Sequence, residues 1–292
     1  MIDAHMHAFP TELSLNPWHW ARERNELHWA TMVAPAGRHA LQGWADAEDC
    51  LRAMDAAGIE KSILLGWYWQ QAATCDWHNA LMAKWQQDHP SRFLWFAAIP
   101  MAACTEALSS SLQLACDLGA SGIGELHSGV QGFDYQGDNW RCLSEYCQHQ
   151  QWPVNLHVTD PNGGAYAGRA ETPLAAILGM LMQQPELKVI LAHLGGGLAC
   201  DPSVTLPENC LLDTAAMPWL YPIAYLQQAI DNGYAQQLCF GSDFPLRLYS
   251  RSTASESLAR FAESIQQALA ESALEAVSSR NILHFVKGKS DR

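Results

Sequence analysis

The chain is poor in charge, and the charge it carries leans to one sign. Only 16% of its 292 residues are Asp, Glu, Lys or Arg, and 17 basic groups face 30 acidic ones, a net charge of −13. That balance disfavours nucleic acid or an anionic membrane surface as a general partner. It leaves room for a small anionic substrate, because a metal ion or a local Arg reverses the sign inside a pocket. No apolar run reaches the ~18 residues a membrane-spanning helix needs. The nine cysteines include no Cys-x-x-Cys pair. Their number is odd, the chain is not short, and no signal peptide precedes the first apolar run. Reduced thiols in a cytoplasmic protein are therefore expected. No glycine-rich turn follows that first run, which counts against an open nucleotide-binding sheet.

What the chain does have is a regular succession of short apolar runs. A hydrophobic content of 49% is an ordinary globular mix. Eight β-rich runs recur at 1–7, 61–67, 93–99, 121–127, 153–159, 188–194, 209–215 and 237–243. Several are continuously apolar, as strands buried on both faces should be. Helical patterns lie between them, over 46–57, 75–88, 105–118, 139–150, 173–184, 218–232 and 255–278. Asp46 reads as the N-cap of the first of these and Gly58 as its stop. Eight strands alternating with helices predict a (β/α)₈ TIM barrel, a single domain over 1–292, with a long loop after strand one. That loop, 8–45, carries Trp18, Trp20, Trp29 and Trp44 with His19, His28 and His39. It reads either as a lid or as a segment that its tryptophans bury against the barrel rim.

In such a barrel, chemistry belongs at the C-terminal strand ends. The opening MIDAHMHAFP places His5 and His7 two apart, on one face of strand one. Strand four ends in Glu125 and His127, strand five in His157 with Asn155 on its face, and strand six in His193 before a triple-glycine turn. Strand eight ends in Asp243. The glycines would let a ligand approach the backbone. Any one of these residues alone is most simply a packed core group. Their recurrence at one rim is not, because converging imidazoles and carboxylates need a cation to satisfy them.

The motifs DAHMH, GIGELH, NLHVTD, ILAHLGGG and FGSDFP resemble, in order and spacing, the amidohydrolase superfamily of metal-dependent barrel hydrolases. Within it the chain is most similar to the amidohydrolase-2 branch, which includes aminocarboxymuconate-semialdehyde decarboxylase and pyrone-dicarboxylate lactonase. The closing NILHF has His284 where that family has Arg, so no role of that Arg carries over. The resemblance implies that His5, His7 and His157 ligate one divalent metal, with Asp243 completing the site. Zn²⁺ is the first expectation, and Mn²⁺ or Co²⁺ would also suit these donors. Asp243 would then accept a proton from the activated water, and His193 would polarise a substrate carbonyl or shuttle a proton. The only lysines are Lys61, Lys84, Lys188, Lys287 and Lys289, none at a strand's C-terminal end, so a lysine-bridged metal pair is excluded. Glu125 has three readings: a metal ligand, as in TatD-type nucleases, a partner to a ligating His, or a substrate contact.

Substrate contacts are expected from His127, Arg247, Arg169 and Trp67, with a surface role open for either Arg and core packing for the aromatic GWYWQ stretch. The leading functional expectation is a metal-dependent hydrolase of a small lactone, ester or amide, including carboxylate-bearing ones. The alternatives are a non-hydrolytic decarboxylase of an unsaturated carboxylic acid, TatD-like phosphodiester cleavage, which the net charge weighs against, and a binding barrel without catalysis. The partner is a small molecule, neither nucleic acid nor membrane, and the resemblance leaves room for a homodimer.

Overall fold

Eight parallel strands form the frame: β1 (Ile2–Met6), β2 (Lys61–Leu65), β3 (Phe93–Phe96), β4 (Ile123–Leu126), β5 (Val154–Leu156), β6 (Val189–Leu191), β7 (Cys210–Asp213) and β8 (Leu238–Cys239). They come from a computed structural model that describes residues 1–37 and 40–286; His39, Lys287 and Lys289 lie outside the described residues. Ladders join β1 to β2 to β3, and β4 through to β8 in chain order. The two sheets close on each other. A parallel bridge pairs Ala97 with Ile123 at one seam. At the other, Met6 bridges Phe244 and the Ala4 amide donates to the Phe240 carbonyl at 2.8 Å. The result is the TIM barrel that the alternating pattern predicts.

Nearly every strand residue is buried, which is why the runs read as continuously apolar. Leu64, Trp95, Val154, Val189 and Leu212 pack outward against helices in the main core. A smaller cluster joins Ile2, Ala4, Ile63 and Ile190 to Ile282 and Phe285 of the C-terminal helix Asn281–Val286. All nine cysteines are free, and Cys147 is buried as a packed side chain. Among the described residues no helix is long and apolar enough to cross a membrane.

The connection after β1 is not structureless. It holds a 3₁₀ turn (Thr11–Leu15) and helices α1 (Pro17–Arg24) and α2 (Leu27–Val33). Trp29 is 1% exposed and packs its ring 5.9 Å from Phe9 and 5.6 Å from Trp69. Burying one such ring removes on the order of 200 Å² from water, about 5 kcal/mol before ordering costs. Glu26 fastens the loop to the next unit, accepting from the Gln70 and Gln71 amides at 3.0 and 2.9 Å. Next come α3 (Ala47–Ala57), α4 (Ala72–Asp88) and α5 (Thr105–Asp117). α3 begins in a capping box between Asp46 and Asp49 and ends at Gly58 in the left-handed region, as the sequence predicts.

Two predicted helices are broken. The run 218–232 divides into Met217–Leu220 and Ala224–Asp231, because Pro222 pushes Tyr221 out of the helical region, to φ −140° and ψ 145°. The run 255–278 stops at Ala268, resumes over Glu271–Glu275 and widens into a π turn, Ala276–Arg280.

Candidate metal and substrate site

The C-terminal strand ends bring two trios of donors together: His5, His7 and Glu125, and Glu125, His157 and His193, with the ligand atoms of each trio within 4.8 Å of one another. His5 and His7 leave β1 buried, with their Nε2 atoms 3.2 Å apart. The other nitrogen of each ring is spoken for. His5 Nδ1–H donates to Asp213 Oδ2 at 2.9 Å, and His7 Nδ1–H donates to the Leu65 carbonyl at 3.2 Å. With both rings neutral, these bonds leave each Nε2 a lone-pair acceptor facing the other. Two acceptors so placed repel unless a metal ion or a shared proton lies at their junction.

Glu125, 2% exposed, is shared by both trios. Its Oε1 is 2.9 Å from His157 Nδ1 and 3.7 Å from His193 Nε2, while Oε2 is 3.6 Å from His7 Nε2. Burial pushes its carboxyl up, but the imidazoles of His157, His193 and His5 together outweigh that and hold it well below the usual range. His193 Nδ1–H donates to the Ala215 carbonyl at 3.0 Å, so its Nε2 is free toward His157 Nδ1 at 3.2 Å. Asp243 Oδ1 lies 3.7 Å from His7 Nε2 and 3.9 Å from His5 Nε2. Burial pushes His5 down, yet Asp213, Glu125 and Asp243 together carry it up to about 10. Two site residues hold non-glycine left-handed backbone, His193 at φ 59° and Asp243 at φ 63°. Such strain persists where surroundings over-determine it, and it clusters at functional sites.

A cavity of about 520 Å³ opens from this cluster, with His157, His193 and Asp243 in its wall. Its other walls are mainly apolar: Met32, Pro35 and Leu41 from the loop after β1, Tyr166 after β5, Trp219 after β7 and Leu246 after β8. The triple-glycine turn serves packing here. A Cβ at Gly196 would meet Val158 Cγ1 at 2.9 Å, so its absence lets the turn lie on the strand-five loop.

The expected substrate contacts are placed unevenly. Arg169 lines the cavity, with Nη2 donating to the Asp160 carbonyl at 2.9 Å and Nη1 paired to Glu171. Arg247 is turned to the loop after β1, its guanidinium donating to the Ala40 carbonyl. Trp67 packs edge-on behind His7, ring centres 5.2 Å apart, and His127 stacks behind His157 at 4.5 Å. Neither ring, nor Arg247, is among the described residues that line the cavity. Burial, then the neighbouring His157, pushes His127 down to about 2, so its ring is neutral where it stacks on His157. His157 itself is placed against Glu125 and His193, and Glu125 is the link between the halves. Asp213 went unremarked in the sequence, although it is an acid at the end of β7. The rule that singled out the other strand ends applies to it equally.

A family model described as amidohydrolase matches residues 2–286. No curated protein matches the sequence. Among solved structures, 2,6-dihydroxybenzoate decarboxylase from Rhizobium superposes with a TM-score of 0.67 at 20% identity, over 100% of this chain and 98% of that one. 5-Carboxyvanillate decarboxylase from Sphingomonas paucimobilis gives 0.71 at 16% identity, over 98% of both chains. A dihydroxybenzoic acid decarboxylase from a Polaromonas species, with bound manganese and 2-nitroresorcinol, gives 0.67 at 19% identity, over 100% of this chain and 97% of that one. At these identities the likeness is one of fold.

Proposed function

The chain belongs to the amidohydrolase family and is an enzyme of that superfamily, and from that premise we propose that it is a divalent-metal-dependent lyase that releases CO₂ from an unsaturated or hydroxyaromatic carboxylic acid. The observation that carries the proposal is the joining of an imidazole–carboxylate cluster to a mainly apolar cavity through the shared wall of His157, His193 and Asp243. The fold likeness to manganese-bound and other hydroxybenzoate decarboxylases supports it.

His5, His7, Glu125, His157, His193 and Asp243 supply the donors, and the facing Nε2 atoms of His5 and His7 suit a shared cation. Zn²⁺, Mn²⁺ and Co²⁺ all suit imidazole with carboxylate. When bound, the metal supplies positive charge that anchors an anionic substrate and stabilises negative charge developing in the transition state. The apolar cavity strips water from the substrate. As the carbon–carbon bond breaks, its electron pair stays on the ring or alkene carbon, CO₂ leaves, and that carbon takes a proton. Asp243 and His193 face both cluster and cavity, so they hold and deliver that proton.

Hydrolysis of a lactone or ester is the second reading, favoured by the two trios that share Glu125, a donor set sufficient for two ions and suited to activating water. Turnover of a panel of hydroxybenzoates, unsaturated acids and lactones in D₂O and in ¹⁸O-water separates the two. The lyase gives CO₂ and one solvent deuterium on the product carbon. Solvent ¹⁸O in the product acid, without CO₂, refutes it in favour of hydrolysis.

A further inference from the structure

We propose that Asp213 is a positioning residue that sets the tautomer of His5 and, through its other oxygen, holds the strained turn that carries His193. This rests on the metal-binding part of the proposed function and not on which reaction follows. Asp213 ends β7 and is 0% exposed. Four donors converge on it. Oδ2 accepts from His5 Nδ1 at 2.9 Å and from Asn155 Nδ2 at 3.2 Å. Oδ1 accepts from the His193 and Ala215 amides, each at 3.0 Å. No donor capacity is wanted at this position; every neighbour offers a proton.

The two oxygens therefore do separable work. Oδ2 keeps a proton on His5 Nδ1, so that Nε2, the atom facing His7 at 3.2 Å, is the one that would give its lone pair to a metal. Oδ1 pins the backbone at His193, whose φ of 59° and ψ of 45° a non-glycine residue adopts only under restraint. One carboxylate thus ties the opening His pair to the second trio across the barrel mouth.

Asp213→Asn separates these roles. The asparagine carbonyl still accepts from the His193 and Ala215 amides, so the turn survives. Its amide presents a donor to His5 Nδ1, which drives the imidazole proton to Nε2 and caps the metal-facing atom. Competition against a chelator should show Zn²⁺ bound 10–100-fold more weakly by the variant, the range found when a ligand's hydrogen-bond partner is lost. Circular dichroism and exchange of the amides at 193–197 should match the wild type. Long-range proton–nitrogen NMR of the zinc-loaded wild type should place the His5 proton on Nδ1. Wild-type Zn²⁺ affinity in Asp213→Asn overturns the proposal. So does a His5 proton on Nε2 in the wild type, a test that stands even if the variant fails to fold. A wild type that binds no Zn²⁺, Mn²⁺ or Co²⁺ sinks the metal reading itself and this inference with it.

Discussion

A hydrogen bond between two loops at the roof of the cavity latches one to the other, and Gly168→Ala should release it. His28 of α2 donates from Nε2 to the Gly168 carbonyl at 2.7 Å, which latches the loop after β1 onto the loop after β5. Gly168 has φ +80°, and a Cβ there would lie 2.6 Å from Met32 Sδ and 3.0 Å from its Cγ. A non-glycine residue in the left-handed region costs about 1–2 kcal/mol. Overpacking adds about 1 kcal/mol, the low end of its range, because a methionine tail bends away. Backbone strain therefore outweighs the steric clash, and together they cost about 2–3 kcal/mol. If the strain is relieved by opening, the open population rises roughly 30- to 150-fold, at 1.4 kcal/mol per decade. Amide exchange of 27–34 followed by mass spectrometry reads that ratio directly. KM should rise only as far as the closed fraction falls, since Met32, Pro35 and Leu41 line the cavity. Unchanged protection of α2 in Gly168→Ala would refute the latch, because the strain would then have been absorbed without opening.

Two further outcomes are expected. His78 accepts at Nδ1 from Trp69 Nε1 at 3.0 Å and donates from Nε2 to the Ala8 carbonyl at 3.0 Å, and burial pushes it down to about 4. Between its ordinary 6.5 and about 4 the unfolded chain binds a proton that the native state refuses, so this group costs stability as pH falls through that window. Urea unfolding at pH 7 and pH 5 should show the wild type losing about 2 kcal/mol more than His78→Gln, and equal losses would refute the assignment. For a substrate with an anionic group remote from the cluster, Arg169→Met should raise KM about 10-fold or more while Arg247→Met leaves it near wild type, because Arg169 lines the cavity and Arg247 does not. The reverse order would place the anion-binding group on the strand-eight loop.

Periodicity and capping belong to the chain itself. Parallel strands buried on both faces are mostly apolar, so β1 to β8 were legible as short apolar runs, several of them continuous, and Asp46 and Gly58 marked the ends of α3 because capping is a property of a few neighbouring residues. Strand parity likewise put His5 with His7. Partnership across the barrel was not legible in this way. Which histidine meets Glu125, and that His157 joins His193 on it, depends on how staggered strand ends come to face one another once the sheets close. Asp213 acquires its meaning only when His5, Asn155, His193 and Ala215, distant in sequence, aim donors at it. The same closure turned Arg247 to Ala40 and set Trp67 behind His7. Local pattern determines which residues reach the rim, because it follows from backbone sterics and burial; only the closed barrel decides which of them touch, because that is settled by packing among residues the chain holds far apart.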